Sequence, residues 1–155
     1  LKIDHERVWD STDAMLSPEA PKSLAIVGAG AIGCEFADVY AAFGTQVTII
    51  EMADRVLPLE DRDCSAVVEK SYRKRGMNIL TGVSLEKADV GAGGVKLHIK
   101  DAKGGTQVIE AERVLSAIGR VPLIDDIGLD KAGVKLTDRG FVAVDRQMRT
   151  NVEGV

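Results

Sequence analysis

The 155-residue sequence is poor in cysteine, proline and aromatic side chains, with two Cys, four Pro and only 4% Phe, Trp and Tyr. The two cysteines, Cys34 and Cys64, stand 30 positions apart and match no disulfide framework, zinc-ligand spacing or CxxC redox pair. Two reduced and buried thiols are the expectation. So little proline beside ample glycine argues against a disordered chain. An excess of one charge is missing too, with 20 Lys and Arg against 24 Asp and Glu. That balance leaves no electrostatic footprint for nucleic acid or an anionic membrane. No apolar run approaches the roughly 20 residues that span a bilayer, and the first residues lack the apolar centre of a signal peptide. A soluble, cytoplasmic protein is expected. Neither His5, near the N-terminus, nor His98, on the polar phase of an alternating strand pattern, belongs to a recognisable acid–base pair. The sequence offers no nucleophile, catalytic dyad or metal-ligand cluster.

What is abundant is glycine, 16 residues, and apolar side chains, 45% of the chain, enough for one compact domain with a real core. Residues 1–20 show no sustained period and run into Ser17-Pro18-Glu19-Ala20-Pro21-Lys22, which predicts a leader or linker with the ordered core starting after Pro21. Leu24–Val27 is a short apolar run ending in glycine, as in a strand buried on both faces of a parallel sheet. From Ala31 to Phe43, Ile32, Phe36, Val39, Tyr40 and Phe43 recur at helical spacing and Gly44 stands at the stop. Val47–Ile50 is a second buried strand closed by Glu51. A second helix is predicted over 61–75, with Cys64, Val67, Val68, Ser71 and Tyr72 inward and Gly76 as its end, followed by a third parallel strand at 78–80. The alternation of Val95–Lys100, with turns on both sides, predicts an antiparallel meander over about 84–110. Val114–Ile118 reads as a fourth parallel strand and Phe141–Val144 as a last short one. The fold class is α/β: a parallel sheet with helices and an inserted antiparallel β-meander.

Gly28-Ala29-Gly30-Ala31-Ile32-Gly33 has the GxGxxG form, follows a predicted strand and opens a predicted helix. In a Rossmann-like βαβ unit the first glycine permits the tight turn, the second lets the backbone approach a pyrophosphate, and the third lets helix and strand pack closely. Free N–H groups and the positive end of the helix dipole then face the phosphates. Glu51, 23 positions after Gly28, can accept both hydroxyls of an adenosine ribose and repels a 2′-phosphate. NAD is therefore expected over NADP, and Arg55 alone is weak support for the latter.

Several stretches resemble the pyridine nucleotide-disulfide oxidoreductases, above all their dihydrolipoamide dehydrogenase branch. They are Ser11-Thr12-Asp13-Ala14, Pro21–Leu24, Val27–Glu35, Val47–Glu51, Ala117-Ile118-Gly119-Arg120-Val121-Pro122 and Thr137–Val152. The resemblance covers the whole chain. It implies a central NAD-binding domain excised from a larger flavoenzyme, with residues 22–120 as its core and 138–155 as a return toward an FAD domain. A dimerisation domain and a lipoyl domain of a 2-oxoacid dehydrogenase complex are the implied partners. By the same resemblance Glu35 reaches the nicotinamide end, Ala31 stands at the nicotinamide gate, Met52 follows the ribose carboxylate, Val83 touches the adenine and Gly119 approaches the cofactor. With Gly28, Gly30, Ile32, Gly33 and Glu51 these make the expected site; catalytic and metal-binding residues are expected to lie elsewhere. FAD would be bound outside this chain, which alone should be inactive, with residues 1–20 and 141–155 least ordered. The alternatives are a free-standing NAD-sensing regulatory domain, or the NAD(P)H domain of a mercuric, glutathione or coenzyme A-disulfide reductase.

Overall fold

A computed structural model describes residues 1–155. The chain forms two compact units, Leu1–Ile118 and Gly119–Val155. In the first, the elements run β1 (Val8–Trp9), α1 (Ser11–Leu16), β2 (Ser23–Val27), α2 (Ala31–Ala42), β3 (Gln46–Ile50), α3 (Arg62–Lys74) and β4 (Asn78–Leu80). The meander β5 (Val83–Gly91), β6 (Gly94–Asp101) and β7 (Thr106–Ala111) and a final strand β8 (Arg113–Ser116) follow. Five strands pair in the order β1-β8-β2-β3-β4, all parallel, and β5-β6-β7 form a separate antiparallel sheet.

The apolar runs of the parallel strands are continuous because both faces are covered. Leu24, Ile26, Val47, Ile49, Ile79 and Leu115 pack with Ala37, Tyr40 and Tyr72 of the helices. Ala25, Val27, Ile50 and Val114 pack with Val95, Leu97, Ile99 and Ile109 of the meander. Each fully buried aliphatic side chain of these layers contributes about 1.5–3 kcal/mol. The predicted alternation of the meander follows from its having one covered face.

Four expectations need correction. Residues 1–20 are no linker: Val8 is fully buried, β1 pairs with β8, and Asp10 caps α1. α2 buries Gly33, Cys34, Ala37 and Tyr40, whereas Val39 and Phe43 face outward, because small side chains let the helix lie close on the sheet. α3 turns Ser65 and Tyr72 inward and leaves Cys64, Val67 and Ser71 exposed, so only Cys34 is a buried thiol. The strand expected at 141–144 is a single antiparallel bridge, Leu136 to Val142, within the second unit. There Val134 is the buried apolar side chain, and Val121, Leu123, Ile127 and Met148 are exposed. No helix is long and apolar enough to cross a membrane.

Candidate functional site

The site is built where β2 hands over to α2. Gly28 has φ +103°, a conformation that suits glycine, and its N–H donates to the Ile50 carbonyl at 2.8 Å. A Cβ on Gly28 would stand 2.5 Å from the Ala117 carbonyl oxygen, and one on Gly33 would overlap the Gly28 carbonyl oxygen. These two glycines are explained by the fold. Gly30 is not: at φ −70° and ψ −176° any residue is comfortable, and nothing lies within 4 Å of where its Cβ would stand.

Gly30 is also the N-cap of α2, and no side chain caps this helix or places a carboxylate in its first turn. The leading N–H groups of an α-helix have no partner within it. Here they open beside the space above Gly30, next to the exposed Ala31 and half-buried Ile32. Glu35 is the fifth residue of α2 and is exposed.

Glu51, just past β3, is half-buried and aimed at the same loop. Its Oε2 accepts the Ala29 N–H at 2.6 Å and its Oε1 accepts the Ala53 N–H at 2.7 Å. The Val83 N–H donates to the Glu51 carbonyl at 3.1 Å, which brings Val83 beside it, and Met52 is 78% exposed at the same edge. Gly28, Gly30, Ala31, Ile32, Gly33, Glu51, Met52 and Val83 thus gather at the C-terminal ends of β2 and β3. Gly119 opens the second unit and is exposed.

Of the segment after Met52 only Arg55 was weighed in the sequence, yet the whole segment is part of this edge. The Ala53 carbonyl accepts the Gly82 N–H at 2.7 Å, and the Leu57 N–H donates to the Ala29 carbonyl at 2.7 Å. The Leu57-Pro58 pair is the only local signal of the turn. Cys34 sits at the start of α2, where a helix dipole favours a thiolate, but burial pushes its thiol up to about 11. Its Sγ faces the Ala29 carbonyl at 3.4 Å, and the Tyr72 hydroxyl donates to the Cys34 carbonyl at 2.8 Å. Cys34 supports the loop from below and is no nucleophile.

Another cleft, of about 800 Å³, lies at the opposite end of β2, between Ser23 and the turn at Gly91–Gly94. Several of its charged groups are already engaged: Lys96 pairs with Glu110 at 2.8 Å, and Glu112 accepts the Lys22 backbone N–H at 2.8 Å. The glycine loop, with unclaimed donors and open space, is the better candidate.

The family model for pyridine nucleotide-disulphide oxidoreductases matches residues 1–155. A dihydrolipoyl dehydrogenase of Zymomonas mobilis is 44% identical over 152 residues, which cover 98% of this chain and 32% of the relative. This chain therefore spans about a third of the length of that protein. The crystal structure of LpdA from Mycobacterium tuberculosis superposes with a TM-score of 0.81 at 30% identity, covering 97% of this chain and 32% of that one. An engineered water-forming NADPH oxidase bound to NADPH superposes with a TM-score of 0.76 at 28% identity, covering 97% of this chain and 34% of that one. Its five exchanged residues, Gly, Asp, Ala, Met and Pro, are separated by 18, 1, 1 and 5 positions. The same intervals separate Gly33, Glu51, Met52, Ala53 and Pro58 here.

Proposed function

The chain belongs to the pyridine nucleotide-disulphide oxidoreductase family, and from that premise we propose that its Gly28–Gly33 loop holds the pyrophosphate of NAD(H). The observation that carries this reading is Gly30, a glycine that neither backbone nor packing requires, beneath open space at a helix N-terminus without a side-chain cap. The N–H groups of Gly30, Ala31 and Ile32 receive the phosphate oxygens. Glu51, its carboxylate fixed by two backbone N–H groups, accepts the adenosine ribose hydroxyls. Met52 and Val83 flank the adenine, while Glu35 serves the nicotinamide end. The nicotinamide, when bound, supplies the hydride acceptor or donor.

NAD(H) is favoured over NADP(H) on two grounds. A carboxylate at the ribose opposes a 2′-phosphate. This chain also keeps glycine and a carboxylate at Gly33 and Glu51, where the intervals of the NADPH-bound engineered oxidase place two of its exchanges. The wider reading is a nucleotide domain of a cytoplasmic dihydrolipoyl dehydrogenase, in which FAD, a dimerisation domain and the lipoyl-domain partner engage other parts of a longer polypeptide. With one glycine cradle, this chain alone binds no FAD and oxidises no dihydrolipoamide, because hydride transfer needs both rings within about 3–3.5 Å.

Calorimetric titration of the chain with NADH and NADPH tests the reading. NADH is expected to bind at least about tenfold more tightly, a difference of about 1.4 kcal/mol. Equal or tighter NADPH binding overturns it.

A further inference from the structure

We propose that Arg55 is a positioning residue for Glu51, and that it acts by holding the Leu57–Glu60 turn closed; the proposal rests on the NAD(H) reading above. Ala29 is gripped from two sides, its N–H by Glu51 Oε2 at 2.6 Å and its carbonyl by the Leu57 N–H at 2.7 Å. Leu57 makes that bond from φ +47°, a conformation a leucine rarely adopts and one that persists only when its surroundings impose it.

Several groups impose it. Val56 is fully buried, and the Leu57 carbonyl accepts from the Glu60 N–H at 3.0 Å and from Ser65 Oγ at 3.2 Å. Arg55 closes the turn from its other side: Nη2 donates to the Pro58 carbonyl at 2.7 Å and to that of Glu60 at 3.5 Å. Its Nη1 meets Asp54 at 3.2 Å, which leaves the guanidinium committed to its own loop. Nε is buried without an acceptor, so a side chain needed only to fill this space would be better as methionine, which leaves no donor unmet. Pro58, whose carbonyl Arg55 holds, is also the residue at the interval of the exchanged proline in the engineered oxidase.

Releasing Arg55 lets the turn open, withdraws the Leu57 N–H from Ala29 and loosens the peptide on which Glu51 is aimed. NADH, which gains from a well-aimed Glu51, then binds more weakly. NADPH, which gains nothing from that carboxylate, changes little.

A double-mutant cycle reads this directly: calorimetric Kd values for NADH and NADPH on the unmodified chain, Arg55→Met, Glu51→Gln and the double variant. Arg55→Met is expected to weaken NADH about tenfold and NADPH less than about twofold, and to weaken NADH less than about twofold once Glu51 is Gln. A loss of the same size in both backgrounds, or none in either, overturns the proposal and leaves the NAD(H) reading standing. An unmodified chain with no preference for NADH removes both. If Arg55→Met does not fold, the cycle is repeated with Arg55→Lys, whose single ammonium keeps one of the carbonyl contacts. Unfolding of both variants overturns the proposal, since Arg55 would then hold the fold and not the turn.

Discussion

Two helix starts in the same unit are finished in opposite ways. At α1, Asp10 Oδ1 accepts the N–H groups of Thr12 and Asp13 at 2.7 and 3.0 Å, and Asp13 Oδ2 returns to the Asp10 N–H at 2.9 Å. His5 Nδ1 adds a contact to Asp13 at 2.9 Å, and Asp4 Oδ1 accepts three further backbone N–H groups. Asp4, Asp10 and Asp13 are thus all spent on the protein itself. At α2 the cap is a glycine without a side-chain hydrogen bond, and the carboxylate bonded to this loop, Glu51, reaches Ala29 before the helix rather than the helix. The capped start of α1 holds the fold, whereas the start of α2, uncapped and beside open space, is the one proposed to serve a ligand.

That contrast can be broken at the glycine loop first. Gly28→Ala puts a Cβ against the Ala117 carbonyl in a backbone that disfavours it, and chemical denaturation should show a loss of about 3 kcal/mol. An unchanged stability would mean that the first glycine is not set by the fold. Asp10→Ala comes next: loss of the cap should cost about 1 kcal/mol, a fall of about 3 °C in Tm, while NADH affinity stays the same. A weakened NADH affinity in that variant would tie the two helix starts together.

The smallest effect is a pH dependence. The Asp13 hydrogen bond raises His5 above its ordinary value of 6.5. This pair's contribution is therefore complete below about pH 6.5 and fades as pH rises through the raised value. An NMR titration should place the His5 midpoint above 6.5 and move it down in Asp13→Asn. A midpoint at or below 6.5 in the unmodified chain contradicts the pairing.

The strand–turn–helix unit was legible in the sequence because its signals are local: an apolar run, two glycines the fold requires, and a carboxylate at the next strand end. The meander was legible because one face is covered, so polar and apolar side chains alternate. β1 was not, since two residues, Val8 and Trp9, carry no period and pair with Val114 and Leu115 more than 100 positions away. The inward face of α2 escaped because close packing there depends on Gly33, Cys34 and Ala37, small side chains that an apolar stripe does not mark. In the site, the glycines and Glu51 were visible, whereas the Arg55 grip depends on the left-handed Leu57 and on a tertiary bond to Ala29.

The most direct test of a ligand-serving start at α2 is to give it the kind of cap that α1 has. Gly30 already has the extended backbone of an N-cap, so Gly30→Ser should keep or raise the stability of the chain, by about a few tenths of a kcal/mol. The same side chain occupies the space proposed for the pyrophosphate. Calorimetry on this variant is predicted to show NADH affinity reduced at least about 100-fold, a loss of about 2.7 kcal/mol in a chain no less stable. NADH binding to Gly30→Ser as tight as to the unmodified chain would contradict the account.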